Sequence, residues 1–240
     1  MNKNFKFKDL SGPDQKQTWW DNELAEVKNV YKLPGYNCPA NIASGFRRNP
    51  RHAVDLGMNV GCFSVYASPF FENVYAYEAC SVTHEIAKEN LKTHNIKNVK
   101  SYNMAAHATS DQELLIYKHS SNLSGDTSLI NSDQHADDAL ERVATISLED
   151  IYKHNEIDYI DYLKVDIEGS EYNFLMNKDL SKINYMVMEE HSGYLTPKML
   201  SDLHDYLDKF FNLVGWTDNR VISFYETKNY KNLSNAKKSG

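Results

Sequence analysis

The 240-residue chain is poor in cysteine, proline and glycine, with 3, 6 and 10 of them. So little Gly and Pro beside 41% hydrophobic residues excludes collagen-like, low-complexity and disordered chains. The cysteines, Cys38, Cys62 and Cys80, are scattered. They make no CxxC pair and no Cys/His cluster, which excludes a disulfide scaffold and argues against a zinc site. Reduced thiols in a cytoplasmic compartment fit best. No run of about 18 apolar residues exists, so no membrane-spanning segment is expected. The opening MNKNFKFKDLSGPDQ lacks the apolar stretch of a secretory signal. Positive charge is also in deficit, 26 Lys+Arg against 33 Asp+Glu, for a net charge of −7. That balance argues against broad duplex nucleic-acid binding, which needs clustered Lys/Arg, while leaving room for a local basic groove.

What is present is enough chain for one domain, with roughly 70–75% of its unfolded surface buried on folding. Residues 1–50 read as a helical and loop extension, with a helix over 14–32 and a Pro/Gly loop over 33–45. From Arg51 the pattern becomes regular: strands at 52–57, 73–78 and 99–104 alternate with helices at 62–70 and 80–94. Strand and helix alternating at this pace predict a parallel sheet with helices on its faces. ELLIYK (113–118) and RVATISL (142–148) read as strands around a polar insertion at 119–141. The alternation then resumes with a strand opening into a turn at 161–170, a short helix at 170–178, a strand at 183–190 and a helix at 196–210. Pro197 stands in the first turn of that last helix, where its missing N–H costs nothing. FNLVGW and RVISFYE predict a terminal hairpin around TDN. Residues 228–240 read as a tail.

Two stretches carry chemistry. In VDLGMNVG (54–61) a strand enters a turn that Gly57 permits, Gly61 opens a helix, and Asn59 supplies an amide between them. The helix start offers free N–H groups to a ligand. The turn is neither a P-loop, which needs a Lys, nor a GxGxxG dinucleotide turn. The next strand ends in Glu78, about 20 residues after Gly57, where an acidic residue accepts ribose hydroxyls in nucleotide-type sites. An ordinary strand-to-helix turn and an exposed Glu are the plain alternatives.

In LKVDIEGSE (163–171), period-two geometry places Lys164, Asp166 and Glu168 on one strand face. Glu171 adds a nearby acid. The following strand delivers Glu189, Glu190 and His191 to the same edge, because parallel neighbours end side by side. Carboxylates gathered at a strand end are costly unless paired, hydrated or used. They suit a general base, hydroxyl binding or a divalent cation. The plain alternatives are helix capping by Glu168 and Glu171 with a Lys–carboxylate pair, and a surface role for His191.

Across residues 51–192 the sequence resembles the FkbM family of S-adenosylmethionine-dependent methyltransferases. The stretches that carry the resemblance are VDLGMNVGCFS, VYAYEA, NMAAHATSDQELLIY, RVATISLEDI, DYLKVDIEGSEYNFL and MVMEEH, in the family's order. The resemblance implies the α/β class I methyltransferase (Rossmann-like) fold, a seven-stranded, mostly parallel sheet with helices on both faces and a reversed final hairpin. It implies S-adenosylmethionine as cofactor and S-adenosylhomocysteine as product. It places Asp55, Gly57, Asn59 and Gly61 around the methionine part, Glu78 on the ribose, and Ala79 with the segment Asn103 to Ala106 along the adenine. Family members usually methylate hydroxyl oxygens.

The expected activity is therefore methyl transfer to a hydroxyl of a small molecule or sugar. Asp166 and His191 are the first candidates for the proton acceptor, with Glu168, Glu189 and Glu190 as binders or alternates. A divalent cation held by Asp166 and Glu189 is a variant. N-methyl transfer, a nucleotide-dependent enzyme and a non-catalytic binding module are the competing readings. Residues 1–50, with Trp19 and Trp20, and the 119–141 insertion are expected to shape the acceptor pocket and to order on ligand binding.

Overall fold

The computed structural model describes residues 51–118, 127–128, 139–216 and 222–228. The helix expected at 14–32 with Trp19 and Trp20, the loop at 33–45, most of the 119–141 insertion, the TDN turn and almost all of the tail lie outside the described residues.

β1 (His52–Leu56), α1 (Cys62–Ala67), β2 (Asn73–Glu78), α2 (Ser81–Thr93) and β3 (Val99–Asn103) follow in the expected order. These strands read as apolar runs because the sheet is covered on both faces. Along β1 the side chains alternate between two cores. Val54 and Leu56 pack with Tyr75, Leu163 and Met186, while Ala53 packs with Phe63, Val74 and Tyr162. A one-residue slip of β1 would bury Asp55 among the first set, so the pattern fixes the register.

β4 (Ala105–Ala106), β5 (Glu113–Lys118), β6 (Thr127–Ser128) and β7 (Ala139–Ile146) make a separate sheet in the order β4-β7-β5-β6. The strand expected at 142–148 thus ends at Ile146, and Leu148–His154 forms a helix, α3, that the sequence reading missed. Its signal is a cap: the Ser147 side-chain oxygen accepts the Asp150 N–H.

β8 (Ile160–Val165), α4 (Glu171–Leu175), β9 (Ile183–Glu189), α5 (Pro197–Leu207), β10 (Phe211–Trp216) and β11 (Ile222–Thr227) complete the domain. The main sheet has seven strands in the order β10-β11-β9-β8-β1-β2-β3. β1 runs parallel to β2 and β8, and β11 runs antiparallel to both β9 and β10. This is the class I methyltransferase fold. Strand order reverses at β1, which opens the crevice between the carboxyl ends of β1 and β8.

β8 stops at Val165, so Asp166 and Glu168 do not continue a strand face. Asp166 still donates its N–H to Leu56 O at 3.2 Å, after which the chain turns. Glu168 has φ +49° and Gly169 φ +93°. A left-handed conformation costs a non-glycine residue about 1–2 kcal/mol. Period two brings Lys164 and Asp166 together; a turn, not a strand, delivers Glu168. Among the described residues no helix is long and apolar enough to cross a membrane.

Candidate active site

The crevice is bounded on one side by the turn after β1. Gly57 and Met58 donate their N–H groups to Tyr77 O at 3.0 and 2.9 Å, which fastens the turn to the end of β2. Gly57 has φ +73°, and a Cβ there would lie 1.7 Å from the Asp166 carbonyl oxygen. The ends of β1 and β8 therefore meet only because this residue is Gly. Asn90 on α2 donates to Val60 O at 2.9 Å and secures the far side of the turn.

Glu78 closes this half. Its Oε2 accepts the Asn59 N–H at 2.7 Å and its Oε1 accepts the Cys80 N–H at 2.9 Å. Each oxygen keeps a further lone pair for a ligand hydroxyl. Burial pushes the Glu78 carboxyl up to about 7, against the two N–H groups and Lys164, which favour its charge. Asn103 donates from Nδ2 to Glu78 O and Ala79 O at 2.9 and 2.8 Å, so it shapes the turn after β2. Ala79 is half-buried beside it, while Ala106 sits in the core.

Asp55 lies beneath the turn with no accessible surface. It accepts the Ser64 hydroxyl at 2.6 Å and lies 3.4 Å from Lys164 Nζ. The parallel register pairs Asp55 with Lys164, which places both on one face of the sheet. Burial raises the Asp55 pKa, and Lys164 opposes that rise. Lys164 donates to Gly57 O at 2.8 Å and pairs with Asp166 at 3.1 Å. Burial works against its charge, but Asp166 and Asp55 outweigh burial and hold it above the ordinary lysine value. Sequence reasoning placed Lys164 on one face with Asp166, with which it pairs, but did not foresee Asp55 as a second partner. The signal was its position opposite an acid in a neighbouring strand, which only the register reveals.

On the other side, His191 stands among carboxylates. Its Nδ1 lies 2.8 Å from Glu171, and its Nε2 lies 3.3 Å from Glu168, 3.7 Å from Asp166 and 3.8 Å from Glu189. Burial disfavours its charge, but the bond to Glu171 and the charges of Glu171, Glu168 and Asp166 lift it to about 10. These neighbours favour its charged form, which suits His191 less to the proton-accepting role expected from the sequence than to spacing the acids around it. Asp166, Glu168 and Glu189 remain partly exposed. The ligand atoms of Asp166, Glu189 and His191 also lie within 4.8 Å of one another, a spacing that could hold a cation in place of the His191 Nε2 proton.

Glu190 is not part of this group. Successive residues at the end of β9 point to opposite sides. Glu190 accepts the Ser223 hydroxyl at 2.6 Å and lies 3.1 Å from His204 Nε2, against β11 and α5. The structure therefore sets Glu190, expected among the binders or alternates, apart from the acids that face His191.

The model of the methyltransferase FkbM domain matches residues 55–214. No curated protein sequence matches the chain. Similar solved structures include M. capricolum TrmK in complex with S-adenosylhomocysteine, at 15% identity and TM-score 0.44 over 84% of this chain and 66% of that one. A methyltransferase FkbM from Methylobacillus flagellatus is 14% identical, with TM-score 0.47, over 90% of this chain and 56% of that one. An rRNA methylase from Streptococcus thermophilus is 9% identical, with TM-score 0.44, over 78% and 93%. The chain thus spans about two thirds of the length of the first and just over half of the second.

Proposed function

The chain belongs to the FkbM methyltransferase family, and from that premise we propose that it transfers a methyl group to a hydroxyl oxygen of a neutral small molecule or sugar. S-adenosylmethionine supplies the electrophilic methyl, and S-adenosylhomocysteine is the product. The residues present suit that cofactor: Glu78 has lone pairs for two ribose hydroxyls, and the Gly57 turn leaves backbone beside it.

The observation that carries the hydroxyl reading is the ring of Asp166, Glu168 and Glu189 around His191, partly open and next to that turn. Carboxylates accept hydrogen bonds from hydroxyl groups and repel phosphates and carboxylates, which disfavours nucleic acid and other anions as acceptors. An aliphatic hydroxyl is a poor nucleophile at neutral pH, so a carboxylate must take its proton as the bond to carbon forms. Asp166 does this in our reading, with Lys164 holding it on one side. Glu168 and Glu189 bind neighbouring hydroxyls, and His191 fixes the spacing of all three. The protein otherwise has to orient the acceptor and exclude water. Residues 1–50 and 119–141 complete the acceptor pocket in this reading.

A second reading rests on the 4.8 Å grouping of Asp166, Glu189 and His191. A divalent cation there would chelate the acceptor hydroxyl and lower its pKa. Activity lost on EDTA and restored by Mg²⁺ or Ca²⁺ selects this reading, and indifference selects the bare carboxylate. The main proposal is tested by incubating the protein with methyl-labelled S-adenosylmethionine and fractionated cell extract. Label in a methyl ether of a small molecule or glycan is expected. Label in RNA, or on nitrogen, overturns the proposal.

A further inference from the structure

One acid beside the site touches no solvent and so cannot touch an acceptor. Glu171, the first residue of α4, is fully buried. Its Oε1 accepts three hydrogen bonds: from Ile167 N and Gly169 N at 3.2 Å each, and from His191 Nδ1 at 2.8 Å. We propose that Glu171 is a positioning residue for the transfer step, a single carboxylate oxygen that fixes both the turn carrying Asp166 and Glu168 and the ring that spaces them from Glu189. The inference deepens the hydroxyl-transfer reading and rests on it.

The argument is geometric. Ile167 and Gly169 flank Glu168, which sits in the left-handed region at φ +49°. Such a backbone persists only where its surroundings hold it, and here the two flanking N–H groups converge on Glu171. His191 lies on the segment after β9, so the bond to its Nδ1 ties the end of β9 to the turn after β8. With Nδ1 engaged, Nε2 has one direction left, toward Glu168, Asp166 and Glu189. The crevice therefore has its acceptor-side acids set by one atom that no ligand reaches.

Capping alone does not explain a carboxylate at this position. A neutral Ser or Asn oxygen can accept N–H groups at a helix start. A buried carboxylate is costly, and Oε2 of Glu171 has no hydrogen-bond partner among the described residues. A carboxylate oxygen here can take the two N–H groups of the turn and the imidazole N–H together, across two strand ends.

The test compares wild type with Glu171→Gln, which keeps the shape and removes the charge. The probes are S-adenosylhomocysteine for affinity and labelled S-adenosylmethionine with the active extract fraction for turnover. Misplacement by an ångström costs up to about 10²-fold, so we expect turnover to fall roughly 10- to 100-fold. KM and product affinity should change less than about 3-fold, because neither the exposed carboxylates nor the Glu78 side is removed. In the free protein, the His191 Nδ1 proton should resonate far downfield in wild type and move upfield in the variant. Unchanged turnover overturns the proposal. So does a loss of turnover that only follows a loss of folded protein, since a plain cap would behave that way. Should Glu171→Gln not fold, Glu171→Asp, which keeps the charge and withdraws it by one methylene, is read in the same way; failure of both to fold assigns Glu171 to structure. If wild type methylates no hydroxyl, the function reading fails by itself. The ring proton then decides the positioning link: immobility between wild type and variant refutes it, and movement retains it.

Discussion

The two sides of the crevice are made of different material. On the β1–β2 side, backbone dominates: a positive-φ Gly57, carbonyls of Tyr77 and Glu78, N–H groups of Asn59 and Cys80, and one carboxylate that gathers those two N–H groups. On the β8–β9 side, ionised side chains dominate: Asp166, Glu168, Glu171 and Glu189 around His191. A backbone cradle tolerates changes of side chain but not of φ. An ionic cluster tolerates changes of shape less than changes of charge, because unpairing one member leaves another buried and uncompensated. Lys164 and Asp55 stand at the seam and bind the halves together through Gly57 O and Asp166.

That contrast can be broken most severely at the seam. Gly57→Ala drives a Cβ to within 1.7 Å of the Asp166 carbonyl at a φ that L residues resist. Both halves should fail together. We expect destabilisation above about 4 kcal/mol, a melting drop on the order of 10 °C or outright insolubility, read by calorimetry. A variant melting within about 2 °C of wild type would show that the strand ends can part freely.

A change confined to the ionic half should spare the cofactor. Asp166→Asn is expected to lower turnover by about 10²–10⁴, with S-adenosylhomocysteine binding near normal by titration calorimetry. Lost binding with the fold intact would move Asp166 to the cofactor side and leave Glu168 or Glu189 as the proton acceptor.

The reciprocal change is Glu78→Gln. Charge-assisted hydrogen bonds are worth about 1.5–3 kcal/mol against about 1 for neutral ones, so affinity should fall on the order of 10-fold. The wild type also sharpens the comparison through pH. A carboxyl raised to about 7 in the folded protein contributes stability below its ordinary value and loses it as pH rises toward 7. Ribose hydroxyls prefer its charged form. Cofactor affinity should therefore climb by up to about 10-fold between about pH 6 and 8, and Glu78→Gln should flatten that slope. A slope that survives the substitution assigns it elsewhere.

The smallest effect distinguishes the halves by alkaline stability. His191, raised to about 10, contributes stability that is whole below its ordinary value and is lost as pH rises through about 10. Melting of wild type should fall by several degrees over that interval, and His191→Gln should show less of the fall. Parallel curves for the two proteins would remove the imidazolium from the account.

How far the sequence reached differs between the same two sides. The GxNxG turn, Glu78 at a strand tip and the strand–helix alternation are local patterns with a fixed spacing; they announced a parallel sheet with helices on its faces, and the family resemblance supplied the seven-stranded fold and the cofactor. The helix at 148–154 escaped because a strand-like apolar run leads straight into its Ser147 cap. On the acceptor side the sequence listed the acids but not their allegiance. Nothing local says that Glu190 turns toward Ser223 while Glu189 turns toward His191, or that β8 ends before Asp166.

The sequence alone determined which residues could form strands, where glycine was needed and which charges would reach one edge, because those follow from spacing and backbone chemistry. Only the tertiary structure decided that Glu171 is buried, that the acids around His191 favour its charged form and that Lys164 faces Asp55. Those properties depend on burial and on contacts between distant strands, and dielectric and distance are set by packing, not by order along the chain.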